Sequence, residues 1–149
     1  MKNLFFNCLK YSIDIAWTEE QNSRRMTSLN IKKSVLVIED DFSIRQALKE
    51  LLEYDHYDVV TAVNGRDGLD KLYQMPAPDL ILLDLMMPIM NGKCFLKAMR
   101  ADPKLAPVPV VVVSAIADDV NTFGATAYLK KPTDLDQLMN LVEKYTQLH

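Results

Sequence analysis

The sequence has little of what would mark a disulfide scaffold, a nucleic-acid-binding surface or a membrane protein. Its two cysteines, Cys8 and Cys94, are too few for a disulfide framework, and their surroundings do not resemble a metal site. A net charge of −3 provides no basic excess for contact with nucleic acid. The apolar stretch Leu4–Leu9 is far shorter than the roughly 20 residues of a membrane-spanning helix, and no signal-peptide cleavage site follows it. These absences predict a protein of the reducing cytoplasm that binds neither nucleic acid nor membrane directly.

The chain is long enough for one globular domain and a short extension. Of its 149 residues, 49% are hydrophobic, which suffices for a substantial core. The segment Glu19–Ser34 is polar, is typical of a linker and contains Met26. We therefore assign residues 1–33 to an N-terminal extension or linker. This segment is either disordered or the result of a mis-assigned translation start, in which case translation begins at Met26. Residues 34–149 form the predicted domain.

Polar residues follow four apolar runs at the points where we expect strands to end. The runs are short and apolar throughout, as in strands buried on both faces of a parallel sheet: Val35–Ile38, Leu80–Leu83, Val110–Val113 and Ala127–Leu129. Glu39 and Asp40 follow the first run, Asp84 follows the second, Ser114 the third, and Lys131 comes two residues after the fourth. Because the carboxyl ends of parallel strands meet at one edge of a sheet, these five side chains should converge.

Segments with helical periodicity alternate with these strands. The first helix, expected over residues 43–54, should bury a face made of Ile44, Ala47, Leu48, Leu51 and Leu52. Later helices are expected from Gly65, from Gly92 and from a capping signal at Thr133–Asp134. Cys94, in the third helix, is expected to be a buried free thiol. The alternation of strands and helices is typical of a doubly wound α/β sheet.

Three acids at one edge of a sheet require a compensating positive charge. Like charges repel, and burial penalises the charged form of a carboxylate, so a single lysine does not balance Glu39, Asp40 and Asp84. Mg²⁺ is the natural addition, because it is held by one or two carboxylates and leaves coordination positions for phosphate oxygens. With Asp84 as a nucleophile, and with Ser114 and Lys131 as donors, the edge has the groups that phosphoryl transfer onto a carboxylate requires.

The motifs at these strand ends resemble those of receiver domains in two-component response regulators. In chain order they are Glu-Asp-Asp after the first strand, Asp-x-x-x-Pro after the third, Val-Val-Ser-Ala at the fourth and Tyr-Leu-Lys-Lys-Pro at the fifth. The resemblance covers roughly Lys33–Leu148, with Asp58–Ala62 as the second strand. It implies a five-stranded parallel sheet of flavodoxin-like order 2-1-3-4-5. Only residues 115–123 are available for the fourth helix of the family, between the fourth and fifth strands, so we expect that helix to be shortened.

The resemblance also implies a role for each site residue. Asp84 is the expected phospho-acceptor, Lys131 is expected to contact phosphate, and Ser114 and Tyr128 are expected to act as the switch hydroxyl and the switch aromatic. The expected Mg²⁺ ligands are Glu39, Asp40, Asp84 and the backbone carbonyl of Met86. The bond between Lys131 and Pro132 matches one that is cis in the family, a geometry that X–Pro bonds tolerate.

Several of these residues also fit ordinary structural roles. Asp40 and Asp41 precede the first helix and are suited to capping it. Ser114 fits a turn or capping serine, Lys131 a solvated lysine, and Tyr128 a core aromatic in a strand. The sequence alone leaves these interpretations open beside the functional ones.

As a whole, the resemblance implies a signalling protein and not a conventional enzyme. It implies that a sensor histidine kinase or a histidine phosphotransfer protein donates the phosphoryl group, and that the phosphorylated form contacts a downstream protein. Because the chain ends with the last predicted helix, we expect a stand-alone receiver that is a monomer or a weak dimer. Met86 and Ile116 lie two residues beyond the phospho-acceptor and the switch hydroxyl. Neither side chain can orient a water molecule, which predicts slow autodephosphorylation.

Two other functions are compatible with parts of the pattern. A receiver-like binding module that is never phosphorylated is favoured by the short fourth helix and disfavoured by the complete set of site residues. A phosphohydrolase of the haloacid dehalogenase type carries a second acid two residues after its aspartate nucleophile. Met86 occupies that position here, which disfavours the phosphohydrolase.

Overall fold

Five parallel strands form a sheet in the order β2-β1-β3-β4-β5. The structure, a computed structural model, describes residues 32–115 and 124–147. The strands are β1 (Ser34–Ile38), β2 (Asp58–Ala62), β3 (Leu80–Leu83), β4 (Val110–Ser114) and β5 (Ala127–Lys130). β1 lies between β2 and β3, and all neighbouring strands are parallel. This arrangement confirms the predicted doubly wound α/β fold with flavodoxin-like strand order.

Four helices are present in the described part of the chain, and each begins after a polar side chain. The helices are α1 (Phe42–Tyr54), α2 (Gly65–Gln74), α3 (Gly92–Ala101) and α4 (Leu135–Thr146). The side chains of Asp41, Asn64, Asn91 and Asp134 accept hydrogen bonds from backbone amides in the first turn of the helix that follows. These caps fix the points at which the chain passes from the strand-end loops into the helices.

Helices cover both faces of the sheet, and the side chains along each strand alternate between the two cores that result. On β1, Leu36 and Ile38 pack in the core shared with α2 and α3, whereas Val35 and Val37 pack in the core shared with α1 and α4. All four side chains are fully buried, which explains why the strand is apolar throughout. The helices contribute Leu69, Leu72, Phe95, Leu96 and Met99 to the first core, and Leu52, Leu138 and Val142 to the second.

The first helix buries less of its apolar face than its periodicity predicts. Of the five residues expected to be buried, only Leu52 is buried; Leu48 and Leu51 are half-buried, and Ile44 and Ala47 are exposed. The reason is a groove of about 650 Å³ beside this face, which we name the α1–α4 groove. It is lined by Ile44, Ala47, Leu48 and Leu51 of α1, by Val113 and Ala115, and by Lys131, Pro132, Thr133, Leu135 and Leu138 of the segment that enters α4.

Of the remaining predictions, the one about Cys94 in α3 is wrong, and two others concern residues that the structure does not describe. Cys94 lies in the first turn of α3 and is exposed, so the prediction of a buried thiol is wrong. The buried side of that turn is formed instead by its neighbours Phe95 and Leu96. The expected N-terminal extension, with Met26, and the shortened fourth helix, with Ile116, lie outside the described residues. None of the helices described here is long and apolar enough to cross a membrane.

Candidate functional site

The three acids predicted to converge do so at the carboxyl edge of β1 and β3. These strands are neighbours with Ile38 level with Leu83, and the Asp84 amide donates a hydrogen bond to the Ile38 carbonyl at 3.0 Å. One carboxylate oxygen each from Glu39, Asp40 and Asp84 lies within 4.8 Å of the other two. Glu39 and Asp84 are buried, and Asp40 is exposed. The acids therefore form a cluster that is open to solvent on the side of Asp40.

Lys131 reaches this cluster from the loop after β5. Its Nζ lies 2.7 Å from Glu39 Oε2 and 3.8 Å from Asp84 Oδ1. Its backbone amide donates a 2.9 Å hydrogen bond to the Ser114 carbonyl, which fixes the loop against the end of β4. The sequence predicts a lysine beside the acids, and the structure adds that its hydrogen bond goes to Glu39. The peptide bond between Lys131 and Pro132 is cis, as the family pattern predicts.

The buried Glu39 carboxylate has a perturbed pKa. Burial raises its pKa above the ordinary value, and the negative charge of Asp84 raises it further. The hydrogen bond and positive charge of Lys131 lower the pKa, as does the Asp41 amide, but they do not fully offset the burial. Since three carboxylates lie close together beside one lysine ammonium, additional positive charge would be favoured there.

The donor set of the cluster fits a small divalent cation. All three side chains offer carboxylate oxygens, which are the ligands that Mg²⁺ prefers, and the oxygens are close enough together to share one ion. Asp40 and Asp41 were both candidates for capping α1, and Asp41 is the cap: its Oδ1 accepts a 2.9 Å hydrogen bond from the Ile44 amide. Asp40 does not make that bond, so its carboxylate is available to the cluster.

Ser114 and Tyr128 lie on the neighbouring strands β4 and β5. Ser114 is fully buried at the end of β4, two residues beyond Val112, which is level with Leu83. The Ser114 carbonyl accepts a 2.9 Å hydrogen bond from the Tyr128 hydroxyl. Tyr128 is half-buried and packs against the core shared with α2 and α3. The two proposed switch residues are thus in direct contact, and their switching roles stay predictions.

The loop after Asp84 is held against the start of α3. Gly92 donates from its amide to the Leu85 carbonyl at 3.1 Å. A Cβ at this position would overlap the Asp84 carbonyl oxygen and approach Leu85 Cα within 2.9 Å, so only glycine allows the helix to come this close. Met86 lies in this loop with 61% of its surface exposed. The role of its carbonyl as a metal ligand stays a prediction.

Arg45 is a site residue that the sequence reasoning missed. Its Nη1 donates hydrogen bonds to the backbone carbonyls of Glu39, at 2.8 Å, and Asp40, at 3.0 Å. Arg45 follows the cap residue Asp41 by four positions, which places it in the first turn of α1. No sequence signal points to this contact, because the partners of Arg45 are backbone carbonyls and not side chains.

Comparison with protein families and curated sequences adds independent information. The sequence model of the family described as response regulator receiver domain matches residues 35–143. The transcriptional regulatory protein CrdR of Helicobacter pylori is 34% identical over 120 residues, which cover 77% of this chain and 55% of CrdR. The polar-differentiation response regulator DivK of Brucella anthropi is 30% identical over 118 residues, covering 76% of this chain and 95% of DivK. The chain spans about half the length of several curated relatives, including CrdR.

Solved structures with the same fold include two whose full length is nearly covered. The chemotaxis response regulator CheY4 of Vibrio cholerae matches with a TM-score of 0.71 and 29% identity, over 76% of this chain and 98% of CheY4. The response regulator TrrA of Thermotoga maritima, solved in complex with Mg²⁺–BeF, matches with a TM-score of 0.68 and 30% identity, over 76% of this chain and 98% of TrrA. Both share the fold of this chain.

Proposed function

Since this chain belongs to the family of response regulator receiver domains, we propose that it accepts a phosphoryl group on Asp84 from a phosphohistidine in a two-component phosphorelay. Receiver domains are signalling proteins and not conventional enzymes. One observation carries the proposal: carboxylate oxygens of Glu39, Asp40 and Asp84 lie within 4.8 Å of one another, with the Lys131 ammonium 3.8 Å from Asp84. The phosphate donor is the histidine of a sensor kinase or of a phosphotransfer protein.

In the proposed reaction, an Asp84 carboxylate oxygen forms a bond to phosphorus as the bond between phosphorus and the donor histidine nitrogen breaks. The nitrogen keeps the electron pair and takes a proton from solvent. Mg²⁺ held by Glu39, Asp40, Asp84 and the Met86 carbonyl would supply positive charge beside the phosphoryl oxygens. Lys131 donates a hydrogen bond to one of these oxygens, which reduces its interaction with Glu39.

The phosphoryl group changes the charge of the site and so biases a conformational equilibrium. It adds roughly −1.5 to −2 charges, judged from phosphorylated hydroxyls. In the proposed switch, the Ser114 hydroxyl donates to a phosphoryl oxygen, and Tyr128 turns inward behind it. This shifts the population between two existing conformations. A downstream protein that binds one of them better receives the signal by contact.

The test is Mg²⁺-dependent labelling by a small phosphodonor such as acetyl phosphate, followed by intact-mass measurement. The parent chain should gain one phosphoryl group with Mg²⁺ and none with EDTA, and Asp84→Asn should gain none. Asp41→Asn is the matched control, because it removes an acid of the same loop that caps α1 and lies outside the cluster; it should label normally. A parent chain that stays unlabelled would instead favour a receiver-like binding module that works without phosphorylation.

The α1–α4 groove supports a more specific proposal about the phosphodonor. The groove is apolar. Lys131 lines it and also binds Glu39 of the acidic cluster, so the groove continues into the site. Ile44 and Leu135 are 39% and 59% exposed, although both are large and apolar. A donor protein must hold its phosphohistidine at Asp84 while burying apolar surface of its own. The groove offers that surface at the required position.

Docking of the donor protein can be distinguished from phosphoryl transfer itself by comparing a protein donor with a small-molecule donor. Leu135→Glu should slow phosphotransfer from phosphorylated histidine phosphotransfer proteins, tested as a panel, because a charge would enter the apolar groove. Labelling of the same variant by acetyl phosphate should stay normal, since Leu135 lies outside the acidic cluster. Tyr54→Glu, at the far end of α1 and 87% exposed, is the control for an added charge and should affect neither reaction. Equal transfer to the parent and Leu135→Glu would contradict docking at the groove.

A further inference from the structure

Arg45 binds the turn that carries two of the three clustered acids. One of its guanidinium nitrogens, Nη1, donates to the carbonyl oxygens of both Glu39 and Asp40, at 2.8 and 3.0 Å. The guanidinium carbon lies 5.6 Å from the centre of the Phe42 ring, a cation–π distance. The arginine is half-buried. Its head group is therefore held by contacts on the turn and on the aromatic ring.

The hydrogen bonds of Arg45 complete the restraint of this turn. The Glu39 amide donates to the Ala62 carbonyl at 3.0 Å, which fixes the start of the turn to β2. Asp41 caps α1 through its side chain, which fixes the end of the turn. Between these points the chain can rotate only about the backbone dihedral angles of Glu39 and Asp40, because peptide bonds are planar. Restraining both carbonyl groups restrains these rotations and hence the directions of the two Cα–Cβ bonds, from which the carboxylates extend toward Asp84.

We propose that Arg45 is a positioning residue for the metal site: by binding the carbonyls of Glu39 and Asp40, it holds both carboxylates toward Asp84. This inference rests on the proposed binding of Mg²⁺ at the cluster. Groups that orient metal ligands from outside the coordination sphere change metal affinity roughly 10- to 100-fold when they are removed. Arg45 acts here through the backbone of the ligand residues.

The test is the Mg²⁺ dissociation constant of the full chain, measured by calorimetry or by NMR titration. Arg45→Ala should raise it roughly tenfold. Arg45→Lys keeps the charge, but an ammonium does not reproduce the planar fork of the guanidinium, so an intermediate value is expected. Lys49→Ala is the matched control, because it removes one positive charge from the next turn of α1, where Lys49 pairs with Glu53 at the surface. This control should bind Mg²⁺ like the parent.

Thermal unfolding separates positioning from a merely structural role. A structural role would lower the unfolding temperature of Arg45→Ala equally with and without Mg²⁺ and leave the dissociation constant unchanged, which would overturn the proposal. The positioning role predicts a smaller Mg²⁺-induced rise in unfolding temperature than in the parent. An Arg45→Lys variant that binds Mg²⁺ as tightly as the parent would also overturn it. If Arg45→Ala does not fold, Arg45→Lys alone decides.

An Asp40→Asn variant distinguishes failure of this inference from failure of the proposed function. If Asp40→Asn loses Mg²⁺ affinity while both Arg45 variants bind like the parent, the metal site stands and the positioning role is wrong. If the parent and Asp40→Asn bind Mg²⁺ equally weakly, the metal site itself is wrong and the role of Arg45 falls with it.

Discussion

Glu39 is the acid of the cluster that binds the Lys131 ammonium. It is buried, it receives the 2.7 Å hydrogen bond of Lys131, and it shares the cluster with Asp84. A phosphoryl group on Asp84 would bring new acceptor oxygens close to the same lysine. The ammonium would then divide its hydrogen bonds between Glu39 and the phosphoryl group. The state of the site is therefore tied to how one lysine is shared between two neighbouring strand ends.

Met86 is the residue at which the lifetime of the phosphoryl group can be tested. Its exposed thioether cannot hold a water molecule in line with an aspartyl phosphate, so hydrolysis should be slow. Met86→Asn supplies a side-chain amide that can orient such a water, and we expect several-fold faster loss of phosphate. The measurement is the decay of phosphorylated protein by intact mass after removal of the phosphodonor. Met86→Leu is the control and should decay like the parent. Loss of phosphate from the parent within seconds would contradict the prediction.

Ile89 has a strained backbone in the loop between β3 and α3. Its φ is +68°, a conformation that β-branched residues rarely adopt, and its side chain is 85% exposed, so little packing offsets the strain. Ile89→Gly should raise the free energy of unfolding by about 1 kcal/mol, because the Cβ clash disappears while some backbone entropy is lost. Urea denaturation measures this change. Ile89→Ala retains the Cβ and should gain less; an equal gain from both variants would rule out the Cβ as the cause.

Helix α3 depends on one glycine for its close approach to the end of β3 and the loop after it. Gly92→Ala would push the helix away from the Asp84 carbonyl and Leu85, since the backbone atoms there cannot move aside easily. We expect a loss of roughly 1–3 kcal/mol in stability, typical of overpacking, and slower labelling of Asp84 by acetyl phosphate. Gly68→Ala in α2 is the comparison, because its added methyl would meet the side chains of Ile38 and Phe95, on the core side of the sheet. It should destabilise without the same effect on labelling.

At the level of elements, sequence periodicity predicted where helices form better than how much of each is covered. The position of α1 along the chain was predicted correctly, but Ile44 is exposed because the neighbouring α4 begins only at Leu135 and leaves a groove. A helical wheel contains no information about the position of the next helix. Arg45 was missed for a different reason. Its partners are backbone carbonyls, which every residue has and which therefore leave no signal in the sequence.

At the amino-terminal end of β1 and β3, opposite the acidic cluster, a charge network around Asp79 should contribute to the acid sensitivity of the molecule. Asp79, before β3, accepts hydrogen bonds from the Ser34 amide at 2.7 Å and from Lys33 Nζ at 3.1 Å. Burial raises the Asp79 pKa, but the Ser34 amide and Lys33 lower it more, so it lies below its ordinary value of 3.8. Its stabilising effect is therefore present above that value and is lost as the pH falls through the lowered pKa.

Asp79→Asn tests this network. We expect a loss of about 1–2 kcal/mol at neutral pH, because a charge-assisted hydrogen bond to the backbone is replaced by a neutral one. The stability of the variant should also fall less steeply than that of the parent below pH 3.8. Urea denaturation at several pH values measures both effects. Asp70→Asn, an exposed acid of α2, should change neither. A parallel pH dependence of the parent and Asp79→Asn would contradict the assignment.

For the molecule as a whole, the convergence of the three acids and Lys131 was predictable because parallel strands place their carboxyl ends together. Each apolar run between Val35 and Leu129 marked a strand, and the polar residue after it marked the edge. The strand order itself came from the family resemblance, since spacing along the chain does not determine which strands pair. That the hydrogen bond of Lys131 goes to Glu39, with Asp84 at the longer ion-pair distance of 3.8 Å, required the coordinates, because both acids lie within reach of the lysine.

The most direct measurement of the central claim is the position of the phosphoryl group. Borohydride reduces an aspartyl phosphate to homoserine, and peptide mapping then identifies the modified residue. After labelling in the presence of Mg²⁺, homoserine should be found at position 84 and at no other acid, and EDTA should abolish it. Homoserine at Asp40 or at another carboxylate, or its absence from a folded chain saturated with Mg²⁺, would contradict the assignment of Asp84 as the phospho-acceptor.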